Sequence, residues 1–121
     1  MRWKRICLCI PGIVLCCADG CITLLGQPAE YWSGGFATVR EGNPLAAWLL
    51  TVHPLAFAAA ALPYLAGFVG AVLVLPQRWA VALAIAVAIA HAVGVITWTL
   101  VLLPDTRNAL FSAWAAWAHS R

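Results

Sequence analysis

Three apolar runs, residues 6–26, 54–75 and 79–103, hold a single formal charge between them, Asp19. Each matches the ~20 residues that an α-helix needs to cross a ~30 Å hydrocarbon core. The chain is therefore predicted to be an all-α membrane protein, one domain over 1–121, with three transmembrane helices and two short interfacial helices. Composition supports this: 64% of the 121 residues are hydrophobic and 9% charged, against about 45–50% and 25% in a soluble globule. Too few charges remain to coat a water-facing surface, which excludes a disordered chain, a soluble enzyme domain and a nucleic-acid binder. The formal net charge of +3 is scattered in clusters of three or fewer, so there is no basic patch.

The first run follows Arg2, Lys4 and Arg5 and so resembles a signal peptide in outline. Pro11 interrupts its apolar stretch and no A-x-A site follows, so it is read as an uncleaved helix over 6–26. The second apolar stretch, 44–75, would be about 48 Å long as one helix, more than the core is thick. It must break, and His53-Pro54 is the place, because a residue before proline is pushed out of the α region. Asn43 then caps a short interfacial helix over 44–52 with Pro44 at its first position. The next crossing runs over 54–75 with a bend at Pro63. Only Pro76-Gln77-Arg78 separate it from the crossing over 79–103, so those two helices are antiparallel neighbours. Pro104 ends the third crossing. Asp105 or Thr106 caps a last interfacial helix over 107–119, with Leu110, Trp114 and Trp117 on one face.

Charge sets the expected orientation. With a cytoplasmic N-terminus, Arg2, Lys4, Arg5 and Arg78 lie inside, and Arg40, Arg107 and Arg121 outside with Glu30, Glu41 and Asp105. Three of the inner four adjoin the first helix, which usually dominates topology. The expectation is a multi-pass protein of the cytoplasmic (inner) cell membrane. Tyr31 and Trp32, with Trp3, Trp48, Trp79 and Trp98, are expected as interface anchors.

Alanine recurs at alternate positions from Ala80 to Ala92. On a helix this makes two small-residue ridges, 80-84-88-92 and 82-86-90 with Gly94, and Gly67, Gly70 and Ala71 smooth the second crossing. Such ridges let helices approach closely in lipid, forming a compact helical hairpin or a face for self-association or for partner proteins.

Polar side chains at membrane depth are the candidates for function, since a central Asp costs about 2.5–3.5 kcal/mol on insertion scales. His91 and Tyr64 fall at the middle of their runs, and Asp19 lies about 4.5 Å beyond the middle of its own. Gly12, Cys16, Asp19, Thr23 and Gln27 form one stripe on the first helix. His53, Ala60, Tyr64, Gly67 and Ala71 form one on the second, and Ala84, Ala88, His91, Val95 and Trp98 one on the third. The stripes are expected to converge on an intramembrane layer of Asp19, Thr23, Tyr64 and His91, with Asp19 hydrogen-bonded to His91 or Tyr64. Such a layer serves either as polar glue that fixes helix register, or as a proton relay or ligand pocket. Gln27, Glu41, Asn43 and His53 are candidates at the outer loop.

Cys7, Cys9, Cys16, Cys17 and Cys21 have none of the C-x2-C pairing of zinc or redox sites and are read as small hydrophobes. His53 sits at the outer end of its crossing and His91 about 18 Å deeper, so the two are not placed to share a haem. No metal or cofactor is assigned, and no hydrolase, nucleotide-binding or metalloprotease motif occurs, so no catalytic residue is named.

Asp19, Thr23, Leu25, Gly26 and Gln27, followed by Tyr31-Trp32 and then Glu41 to Pro44 as E-G-N-P, resemble a family of small prokaryotic membrane proteins of unknown function. The likeness covers roughly residues 15–100. It implies a helical fold and directs attention to Asp19, Thr23, Glu41 and Asn43, with His91 and Trp98 on a later helix. The expected role is an accessory or scaffold subunit of a larger membrane complex. The alternatives are a homo-oligomeric channel or carrier that uses the Asp/Tyr/His layer, and an intramembrane cofactor binder.

Overall fold

The computed structural model describes residues 2–119. It consists of α1 (Arg2–Leu25), α2 (Ala29–Trp32), a single 3-10 turn (Phe36–Thr38), α3 (Pro44–Val52), α4 (Pro54–Val74), α5 (Gln77–Leu102) and α6 (Pro104–His119), with no strand among the described residues. Three of the helices, α1, α4 and α5, are long and apolar enough to cross a membrane. We call their two common ends the Arg5 end and the Gln27 end.

The break at His53-Pro54 lies where proline chemistry puts it. Asn43 Oδ1 accepts the N–H groups of Leu45 (3.0 Å) and Ala46 (3.3 Å), starting α3 with Pro44 at its first position. His53 is extended, closes α3 and caps α4 at once: its Nδ1 accepts the Leu55 N–H at 3.1 Å. Both side chains satisfy N–H groups that have no partner within the helix.

Other boundaries move. α1 starts at Arg2, four residues before the expected apolar limit, and α4 runs through Pro63 as one helix. α5 starts at Gln77, which leaves only Leu75 and Pro76 as the connection from α4. Arg5 explains how so short a turn is held. Its guanidinium donates to the carbonyls of Leu73 (2.8 Å) and Leu75 (2.9 Å) and reaches Val72 (3.4 Å). These carbonyls belong to the last turn of α4 and to Leu75 just past it, where acceptors lack intrahelical donors and the helix dipole favours a cation. α6 begins at Pro104, not at 107. The expected cap at Asp105 or Thr106, the face position of Leu110, and the side chains of Arg2, Arg107 and Arg121 lie outside the described side chains; Trp114 and Trp117 are exposed.

α1 packs against both α4 and α5, and more extensively against α5. The core at the Arg5 end joins Cys9 of α1, Phe68 and Val72 of α4, and Ala80 and Ala84 of α5. Gly12 stands where the three helices meet: a Cβ there would come within 3.0 Å of the Phe68 ring and 3.3 Å of Val87. One of the two alanine ridges is used this way, through Ala80 and Ala84. Ala82, Ala86 and Ala90 of the other are exposed, and only its last member, Gly94, turns inward.

The segment between α1 and α3 is folded onto the Gln27 end. Tyr31 is fully buried there, its hydroxyl donating to the Leu50 carbonyl at 3.0 Å and its ring meeting Trp32 and Phe36 at centroid distances of 5.3 Å. Tyr31 is thus a plug and not the expected interface anchor, because its phenol finds an orphan carbonyl near the end of α3. Trp98 turns inward, in keeping with its place on the stripe shared with His91 and not with an interface anchor, and lies over Gly26, whereas Trp3, Trp32, Trp48 and Trp79 are exposed. Gly34, at φ +100°, supplies the left-handed residue in the turn after α2.

Candidate functional site

Spacings of three and four put Cys16, Asp19 and Thr23 of α1, and Gln27 just past its end, on the face that meets the other helices. Cys16, Thr23 and Gln27 are buried and Asp19 half-buried. On α5, the face that begins with Ala80 and Ala84 continues through Ala88 to His91. Tyr64, one turn before the buried Phe68, brings α4 to the same level.

The side chains of Asp19, His91 and Tyr64 are joined in one unbroken chain. Asp19 Oδ2 lies 2.8 Å from His91 Nδ1, and His91 Nε2 lies 3.1 Å from the Tyr64 hydroxyl. The Tyr64 and His91 rings meet edge to face at 5.7 Å. Asp19 and His91 retain 22% and 19% side-chain exposure, and Tyr64 is 45% exposed, so accessibility rises at the tyrosine end of the chain. Two of the three residues sit near the middle of their helices and the third is offset toward the Gln27 end. Tyr64 is the central residue of α4, and His91 falls between one and two residues past the middle of α5. Asp19 is five residues past the middle of the Trp3–Leu25 span, about 7.5 Å, because α1 starts earlier than expected.

With Asp19 ionised, Nδ1 carries the imidazole proton and donates to the carboxylate, and Nε2 accepts the Tyr64 O–H. Carboxylate, imidazole and phenol then form a line along which a proton can be exchanged. Gly94 makes the line possible. It lies one turn beyond His91, and the Asp19 carboxylate occupies the space that a Cβ at 94 would fill. The sequence marks Gly94 only as the end of an alanine ridge; its spacing of three from His91 is the signal that assigns it to the site.

Tyr64 opens on a groove between α4 and α5 of about 400 Å³, walled by Tyr64, Gly67, Phe68 and Ala71 of α4 and by Leu83 and Val87 of α5. Thr23 does not enter the chain through these bonds. It is buried one turn from Asp19, and its carbonyl accepts the Gln27 side-chain amide at 2.9 Å.

The four candidates nearer the loop each serve local backbone. Gln27 pairs with Arg40 in both directions, Nε2 donating to the Arg40 carbonyl at 2.9 Å and Oε1 accepting its N–H at 2.8 Å. Glu41 accepts the Asn43 N–H at 2.8 Å, Asn43 caps α3, and His53 caps α4 while its ring packs on Phe36 at 5.2 Å. The E-G-N-P motif is therefore a helix-start device in this fold. All five cysteines are unpaired, Cys9 and Cys16 buried and the others exposed. Among the described residues, no three His, Cys, Asp or Glu side chains are grouped to hold a metal ion.

No family model matches the chain, and neither a curated protein nor a solved structure matches it.

Proposed function

We propose that this is a multi-pass integral membrane protein of the cytoplasmic membrane, N-terminus inside, whose working centre is the Asp19–His91–Tyr64 chain. In this reading the centre takes up and releases a proton at mid-membrane, as part of a carrier or ligand-binding unit. The observation that carries it is the pair of hydrogen bonds joining three helices through three polar side chains. Polar residues at that depth are costly enough that a merely apolar contact would serve packing better. The chain of bonds runs across the bundle, from α1 through α5 to α4, and ends at the groove. That direction suits exchange with a bound molecule better than conduction along a pore, which three helices alone would not enclose.

The test uses the full chain in lipid bilayers, with infrared difference spectra recorded across pH. Carboxyl and imidazole bands that titrate together in wild type are expected to vanish in both Asp19→Asn and His91→Ala, with helix content and particle mass unchanged. If the bundle falls apart in these variants and wild type shows no titrating band, the centre is polar glue.

A second reading, an accessory or scaffold subunit of a larger complex, is favoured by the outward ridge of Ala82, Ala86 and Ala90, a surface on which another helix could lie closely. Mass measurement of the particle from mild detergent separates the two. Unrelated subunits in stoichiometric amount support the scaffold, and a monomer or homo-oligomer the carrier.

A further inference from the structure

The groove beside Tyr64 has a polar group where lipid has none. The rise from Tyr64 to Ala71 along α4 is about 10 Å, and Tyr64 is the one lining residue with a polar side chain. A volume of about 400 Å³ falls within the roughly 300–1,000 Å³ usual for small-molecule sites. Gly67 lies on the wall with nothing within 4 Å of where its Cβ would be, so the groove is open there.

The ordinary occupant of such a crevice in a membrane is a phospholipid acyl chain, and depth argues against it as the cognate one. Tyr64 is the central residue of its span, about 15 Å from either edge of a ~30 Å hydrocarbon core. The ester and phosphate oxygens of a phospholipid, like a fatty-acid carboxylate, stay at the interface and do not reach it. A molecule that meets the Tyr64 hydroxyl must carry its oxygen into the hydrocarbon on an uncharged apolar body.

Resting on the proton-exchanging reading of the site, we propose that the groove binds a neutral lipid-soluble carbonyl compound of the quinone class, its oxygen on the Tyr64 hydroxyl and its apolar body along Gly67, Phe68 and Leu83. Hydrogen-bond bookkeeping fits both forms of such a molecule. When Asp19 and His91 share one proton, Nε2 takes the Tyr64 hydrogen, and the phenol oxygen accepts from a hydroxyl head. With one proton more, Nε2–H donates to the phenol oxygen, and the Tyr64 hydrogen is released toward a carbonyl head. Besides Asp19, the titratable neighbour of this centre on α1 is Cys16, and α4 contributes Tyr64 alone.

The chain contains two tyrosines, so ¹⁹F NMR of the full-length protein made with 3-fluorotyrosine reads both directly. In lipid nanodiscs titrated with decylubiquinone, the Tyr64 resonance is expected to shift saturably. The Tyr31 resonance, buried at the Gln27 end, stays in place and reports an intact fold. Gly67→Leu fills the groove from an open position and is expected to weaken the apparent affinity at least tenfold with Tyr31 unmoved. Dodecane at the same concentration should leave Tyr64 where it is. No saturable shift, or an equal shift with dodecane, overturns the proposal and leaves an acyl-chain seat. Asp19→Asn keeps the two hypotheses apart. If it moves Tyr64 while the quinone does not, only the occupant is wrong; if it leaves Tyr64 unmoved, the hydrogen-bonded chain itself is absent.

Discussion

α5 meets its two neighbours in different ways. Against α1, which is distant in sequence, it packs tightly over Gly12, Ala80, Ala84 and Gly94; against α4, to which a two-residue turn joins it, it leaves an open groove. Chain adjacency guarantees that α4 and α5 run antiparallel. It does not guarantee that their surfaces match. Closeness follows the small residues, because backbones approach only where side chains do not hold them apart. The polar chain uses both seams: Asp19 and His91 meet across the tight one, and Tyr64 carries the chain to the loose one.

The contrast can be broken by substitution, with stability read as unfolding in detergent. Gly12→Leu drives a side chain into the Phe68 ring and Val87, and is expected to cost about 3 kcal/mol, the upper part of the overpacking range; Gly67→Leu on the groove wall should leave the unfolding midpoint nearly unchanged. Equal losses would show that the two seams are packed alike. Gly94→Ala is expected to displace the Asp19 carboxylate, at about 1–2 kcal/mol, with loss of the Asp19–His91 contact. Retention of that contact in Gly94→Ala would remove Gly94 from the site.

Smaller effects sharpen the comparison from outside the seams. Arg5→Met removes the clamp that ties α1 to the last turn of α4, and should lower stability by about 1 kcal/mol. Tyr31→Phe removes the bond to the Leu50 carbonyl, also for about 1 kcal/mol. Burial pushes the Tyr31 phenol above its usual value. Folding therefore favours its neutral form: that contribution is full below about pH 10 and is lost as pH rises through the raised value. Wild type should lose stability in that alkaline range faster than Tyr31→Phe. Least of all, Gly67→Ala should be neutral or stabilising by up to about 1 kcal/mol, since it improves helix propensity in open space.

Much of the fold is legible in the chain because its signals are local. Asn43-Pro44 and His53-Pro54 each combine a capping side chain with a fixed φ, and the α3 and α4 starts fall on them. Asp19, Tyr64 and His91 stand out because polar side chains are rare in apolar runs, and Tyr64 and His91 fall near the middle of theirs, within reach of Asp19 five residues past the middle of its own. What the sequence hides depends on distant partners. Tyr31 reads as an interface aromatic until Leu50, nineteen residues later, offers its carbonyl. Arg5 reads as topogenic charge until the last turn of α4 lies beside it. Gln27, Glu41, Asn43 and His53 read as candidates for chemistry because capping groups and ligands are drawn from the same residue types.

The central claim is that Asp19 and His91 are hydrogen-bonded across the seam between α1 and α5. Solid-state NMR of the full chain in bilayers, with ¹³C-carboxyl aspartate and ¹⁵N-imidazole histidine, tests it through ¹⁵N–¹³C dipolar recoupling. A short contact between the Asp19 carboxyl carbon and His91 Nδ1, lost in both Asp19→Ala and Gly94→Ala, is the result expected from the 2.8 Å approach. A spectrum in which the His91 nitrogens show no dipolar contact to Asp19 and are indifferent to both substitutions would contradict the account.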